Sequence, residues 1–106
     1  MAKYVPPVYP GTSKILRELG LRIREARLRR RLSGVVFAER VGVSRETIAR
    51  VERGNPSVSI GTMARALAVL GLDMDLNLVI KEDPVGRHLQ DAASTAGRRL
   101  PREDKS

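Results

Sequence analysis

The stretch Phe37-Ala38-Glu39-Arg40-Val41-Gly42-Val43-Ser44-Arg45-Glu46-Thr47-Ile48-Ala49-Arg50-Val51-Glu52-Arg53-Gly54 decides the fold of this 106-residue chain. Phe37, Ala38 and Val41 recur at helical spacing within a short piece, Val35 to Val41. Gly42 follows, where a helix end enters the left-handed region at little cost. Val43 is apolar again, and Ser44 carries a hydroxyl suited to cap the next helix by accepting from its first-turn amides. That helix is predicted over Arg45 to Arg53, with Ile48 and Val51 turned inward and Gly54 closing it. Two short helices therefore flank a tight turn.

Working outward, Ile15, Leu19, Ile23 and Ala26 recur at helical spacing upstream, flanked by Leu16, with Thr12 or Ser13 as N-cap. Gly20 interrupts that stretch, so a kink or a break into two helices is expected there. Downstream, Asn55-Pro56 makes a turn, and Ser59 caps a fourth helix whose stripe is Ile60, Met63, Leu67 and Leu70, ending at Gly71. The fold class is an all-α helical bundle over residues 12–72.

The period then changes. Met74, Leu76, Leu78 and Ile80 alternate with polar residues, apart from Val79, which reads as a strand over 73–82 with one buried face. A lone strand has unpaired backbone groups, and no second strand is visible. Pairing with the same strand of a second copy is the expected resolution, making Met74, Leu76, Leu78 and Ile80 dimerisation residues of a homodimer; the competing reading is a loosely packed C-terminal extension or a continuing helix. Residues 1–11 form a flexible lead with Pro6, Pro7 and Pro10. Residues 83–106 form a C-terminal tail without a core of its own, containing a helix-compatible piece, Val85 to Ala93.

Composition narrows the function. Twenty Lys/Arg against twelve Asp/Glu give a net charge of +8, and residues 1–34 alone carry nine basic and two acidic side chains. Such a balance favours a polyanionic partner, nucleic acid before a membrane surface. Cysteine is absent and there is a single histidine, His88, so thiolate and Cys/His metal chemistry is excluded, and neither metal nor cofactor is expected. Asp73 and Asp75 read as a solvent face. Aromatics are only Tyr4, Tyr9 and Phe37, too few for single-strand stacking platforms. No phosphate-binding loop, G-x-S-x-G or HExxH sequence is present, and the chain is not expected to be an enzyme. The opening MAKYVPPVYPGTSK holds no apolar run and no stretch is long enough to span a bilayer, so the expected location is the cytoplasm, on the nucleoid.

The span from Phe37 to Gly54 resembles the helix-turn-helix of phage-repressor-type regulators, the XRE or Cro/repressor family, and the likeness extends over about residues 19–72. It implies a four- or five-helix domain on double-stranded DNA, with Arg45 to Arg53 as the recognition helix. Arg45, Glu46, Thr47 and Arg50 match the positions from which family members read base edges. Arginine can pair with guanine in bidentate fashion and glutamate can accept from cytosine. A Glu46–Arg50 surface ion pair is the competing reading. Ser33, Gly34 and Ser44 are expected at phosphates, together with Arg53 and the run Arg29, Arg30, Arg31. Arg27 is read with that run, Arg40 and Arg53 as phosphate contacts or ion-pair partners, and Glu52 as structural. The family usually opens its second helix with Ser/Thr-Gln, the Gln bonding a phosphate and bracing the recognition helix. Ser33-Gly34 stands in that place here.

Three features resemble HipB-type antitoxins, the DNA-binding partners of HipA-type kinase toxins: the segment ERGNPSVSIGTMARALAVLGL, the strand pattern after it, and the tail Asp83-Pro84-Val85-Gly86-Arg87-His88-Leu89-Gln90. The likeness implies a dimer on a palindromic operator ahead of its own operon. It also implies a kinase-type toxin held inactive, with Arg87 onward as contact. The alternative is a stand-alone regulator of the XRE family without a toxin.

Overall fold

The computed structural model describes residues 6–95, in the order α1 Pro10–Arg29, α2 Gly34–Val41, α3 Arg45–Glu52, α4 Ile60–Val69, a 3₁₀ helix Asp73–Leu78, and α5 Pro84–Thr95. The described residues are all helix, turn or loop. The chain divides into two compact units, Met1–Met74 and Asp75–Ser106.

The first unit is built on a small core of Ile23, Ala26, Phe37, Ala38, Val41, Ile48, Val51, Ala66, Leu67 and Leu70. Phe37, Ile48 and Val51 are its largest fully buried side chains, so the stretch around the turn supplies the centre of this unit. In it, α1 and α2 pack on α3, and α2 packs on α4. Two stripes differ in detail from their expected membership. Ile15 is 60 % exposed and Ile60 74 %; the inward face of α1 runs instead through half-buried Leu16 and Leu19 to Gly20, Ile23, Ala26 and Arg27.

The first helix starts earlier than expected and does not break. Pro10 occupies its first turn, where a missing amide hydrogen costs nothing and a φ fixed near the helical value is already correct. Neither Thr12 nor Ser13 is the cap; Tyr9 holds that position through its carbonyl, which accepts from the Ser13 amide at 2.8 Å. The lead over residues 1–11 is thus partly helical; residues 1–5 of it lie outside the described residues. Gly20, rather than kinking the helix, brings it against the end of α3. A Cβ there would stand 2.6 Å from the Glu52 carbonyl oxygen and 2.7 Å from the Gly54 nitrogen. Gly54 reciprocates, since a Cβ on it would meet the backbone of Leu16 and Arg17. Two glycines 34 positions apart let the two backbones touch.

Each of α1 to α4 closes with the same hydrogen bond, from an amide just past the helix to a carbonyl five residues back. The pairs are Leu32 to Arg27 at 3.2 Å, Val43 to Ala38 at 3.0 Å, Asn55 to Arg50 at 3.0 Å and Leu72 to Leu67 at 2.8 Å. The residue before each donor is left-handed, as this closure requires. It is Gly42, Gly54 and Gly71 in three cases and Arg31, at φ 55°, in the first.

The expected strand over 73–82 is not formed. Asp73–Leu78 is a 3₁₀ helix, and the turn after it is held by Val79 and Lys81 amides donating to the Leu76 and Leu78 carbonyls at 3.3 and 3.2 Å. Alternation prescribes two faces, but an extended segment also needs a neighbouring edge for its backbone groups. This segment satisfies them locally, three residues apart. Met74, Leu78 and Ile80 are exposed and Leu76 half-buried, so the four residues assigned to strand pairing do not line one face of a strand. Ile80 has φ 62°, an unusual conformation for a β-branched residue.

In the second unit the helix-compatible piece of the tail is helical, α5 reaching Thr95; residues 96–106 lie outside the described residues. Asp83 starts α5, its carboxylate accepting from the Gly86 amide at 3.0 Å and its carbonyl from the Arg87 amide at 2.9 Å. Pro84 fits the first turn for the reason Pro10 does, and a Cβ on Gly86 would run into the Asp83 carboxylate.

Candidate nucleic-acid interface

The site is α3 and what holds it. Ser44 caps it as expected, its Oγ accepting from the Thr47 amide at 3.0 Å. Ile48 and Val51 bury its inner face completely. Arg65, from α4, donates to the Gly42 carbonyl at 3.3 Å and ties the turn in place.

Its far end is fixed by an ion pair. The Arg27 guanidinium donates to both Glu52 carboxylate oxygens, Nε at 2.7 Å and Nη2 at 3.0 Å, and Nη1 donates to the Leu32 carbonyl at 2.9 Å. Both side chains are more than nine-tenths buried. The hydrogen bonds to Glu52 push the Arg27 pKa above the ordinary arginine value, against the opposing effect of burial. Arg27 therefore leaves the run to which it was assigned; it is structural, and Glu52 is its partner, in keeping with the structural reading of Glu52. The signal lay in the spacing: Arg27 stands four residues after Ile23 and seven after Gly20, on the buried stripe.

The outer face of α3 is exposed at Arg45, Glu46 and Arg50 and half-exposed at Thr47. Glu46 lies between two arginines, 3.7 Å from Arg50 Nε and 3.4 Å from Arg53 Nη2. The ion-pair reading of Glu46 and Arg50 thus describes this state, and Arg53 joins it. The Thr47 hydroxyl sits 2.9 Å from Ser44 Oγ. Arg45 reaches back over the start of α2 and packs on Gly34. Beside this face an open polar groove runs from Thr47 and Arg50 to Ser57, Ser59 and Thr62 at the start of α4. Ser57 is held there by Asn55, whose Oδ1 accepts from the Ser57 amide at 2.8 Å and hydroxyl at 2.6 Å. Ser57, Ser59, Thr62 and Arg65 were not among the expected site residues, although the Asn55-Pro56 turn signal marked their neighbourhood.

Ser33 caps α2 by accepting from the Val36 amide at 3.1 Å. Arg29, Arg30 and Arg31 lie exposed at the end of α1, directly before that cap. Arg30 is partly engaged, donating to the Ala26 carbonyl at 2.9 Å. Among the described residues, no three His, Asp or Glu side chains gather as a metal site, and no helix is long and apolar enough to cross a membrane.

The face carries four candidate readers on a short helix, capped at its start, pinned beneath by two apolar side chains and locked behind by a buried ion pair. No curated protein matches the chain. Residues 18–77, more than half of it, match the helix-turn-helix domain family, to which the chain therefore belongs.

Proposed function

We propose that this chain is a sequence-specific duplex-DNA-binding transcriptional repressor, not an enzyme, acting as a homodimer on a palindromic operator. The observation that carries the reading is the outer face of α3. Arg45, Glu46, Thr47 and Arg50 project from a helix held by the Ser44 cap, the buried Ile48 and Val51 and the Arg27–Glu52 pair. Arg50 and Glu46 exchange their mutual pairing for base edges on DNA. Ser33, Gly34, Ser44, Arg53 and the run Arg29 to Arg31 take phosphates, a role the excess of positive charge supports. Replacing Arg50 with Ala is expected to weaken operator binding by ~1–3 kcal/mol and relax one base position. An equal loss on every sequence would instead assign Arg50 to a phosphate.

Within that reading, the chain is the antitoxin of a HipBA-like operon, neutralising a kinase-type toxin through its tail. The support is the likeness of residues 83–90 to HipB-type tails. Asp83, Pro84 and Gly86 already serve to start α5, so the weight falls on the exposed Arg87, His88, Leu89 and Gln90. Purification of the tagged protein from its native cells tests this: a near-stoichiometric kinase-like protein supports it, and recovery of the chain alone leaves a stand-alone regulator.

A further inference from the structure

Gly34 is buried, and the group that covers it is the Arg45 side chain. A Cβ on Gly34 would lie 2.5 Å from both Arg45 Nε and Cζ, and 2.9 Å from Nη2. The guanidinium fills the space a side chain at position 34 would need. It has no hydrogen bond or ion pair there among the described residues, unlike Arg27, Arg30, Arg50, Arg53 and Arg65, each tied to an oxygen. The contact the structure shows for it is with the bare Cα of Gly34, in space that a Cβ there would take.

We propose that Gly34 is a specificity-determining position of the DNA-reading surface, acting through Arg45 by giving its guanidinium a seat against the first turn of α2. The inference rests on the DNA-binding reading above. Gly34 has no side chain to offer a base, yet any side chain placed there evicts Arg45 and swings its donors outward. The eviction is cheap for the fold, because what moves is the free end of a flexible side chain rather than backbone. Bidentate recognition of guanine depends on where those donors point, so a change at 34 is read at the base opposite Arg45.

The experiment uses the full chain as wild type, Gly34→Ala, Arg45→Ala and the double variant. Each is melted to check folding, put through binding-site selection on a randomised duplex library, and titrated on the wild-type selected site. Gly34→Ala is expected to melt like the wild type, to bind its preferred site about tenfold more weakly, and to shift preference at the base Arg45 faces. Gly34→Ser, with another small residue at the helix start, should do the same and replaces Gly34→Ala should that variant melt early. In the Arg45→Ala background the change at 34 should leave base preference unaltered, whatever it does to the sequence-independent phosphate contact at Gly34. An unchanged base preference in the Gly34 variants overturns the proposal, as does an equal shift in preference with and without Arg45. A wild type that selects no duplex sequence overturns the DNA-reading assignment itself, a result distinct from either.

Discussion

Removing one member of the buried Arg27–Glu52 pair is expected to cost a large share of the domain's stability. The geometry is bidentate at 2.7 and 3.0 Å, both side chains are more than nine-tenths buried, and Arg27 also satisfies the Leu32 carbonyl. Glu52→Ala leaves a guanidinium without its counter-charge, and Arg27→Ala leaves a carboxylate and a carbonyl. Breaking such a pair costs about 3–5 kcal/mol, against a total of ~5–15 kcal/mol for a domain. The pair as a whole is worth far less, because two desolvated charges offset most of their attraction. The double variant Arg27→Ala/Glu52→Ala should therefore lose much less than the two single losses added together. It should still fall short of wild type, by ~1–3 kcal/mol for the unpaired Leu32 carbonyl. The assay is urea unfolding followed by helical circular dichroism at neutral pH, where each single change lowers the midpoint by roughly 2 M. Because the folded Arg27 pKa is raised, its contribution is fully present below the ordinary arginine value and is lost only as pH rises through the higher folded one. Neutral pH therefore measures it undiminished. Single losses under ~1 kcal/mol, or strictly additive ones, would refute the reasoning.

Three further outcomes are expected. Gly20→Ala should destabilise by about 1–3 kcal/mol although alanine is the better helix former, because the added carbon meets the backbone of α3; a rise in melting temperature would contradict that close approach. Arg31→Gly should stabilise by roughly 0.5–1 kcal/mol, since glycine adopts φ 55° without penalty. If Arg31 also contacts a phosphate, the same variant binds DNA more weakly and with a shallower salt dependence, so melting and salt titration should move in opposite senses. Ser44→Ala should cost ~1 kcal/mol through the lost cap, measured by thermal unfolding; a loss near zero would mean the Thr47 amide finds another acceptor.

The helix-turn-helix was legible because its signals are local. Gly42, Ser44 and the Ile48–Val51 pair each act within a few residues of their own position, and all do what their chemistry prescribes. Gly20 and Gly54 were individually visible but not their meeting, which depends on the angle at which two helices cross. The charge run around Arg27 concealed a buried member, because a run suggests a solvated face while helical period places every fourth residue elsewhere. The alternation from Met74 to Ile80 misled for a different reason: strand pattern describes side chains, whereas strand formation depends on a partner for the backbone. At the site, the exposed positions of α3 were foreseen, but the Glu46–Arg53 contact and the seat of Arg45 on Gly34 were not.

The locking of α3 from behind has an evolutionary side. Arg27, Ile48, Val51 and Glu52 carry the helix, while the exposed Glu46 and Arg50 lend the core nothing. If the outer face reads DNA as proposed, mutations there can sample new duplex sequences without passing through unfolded intermediates, and duplicated copies of such a gene can drift to separate targets one side chain at a time.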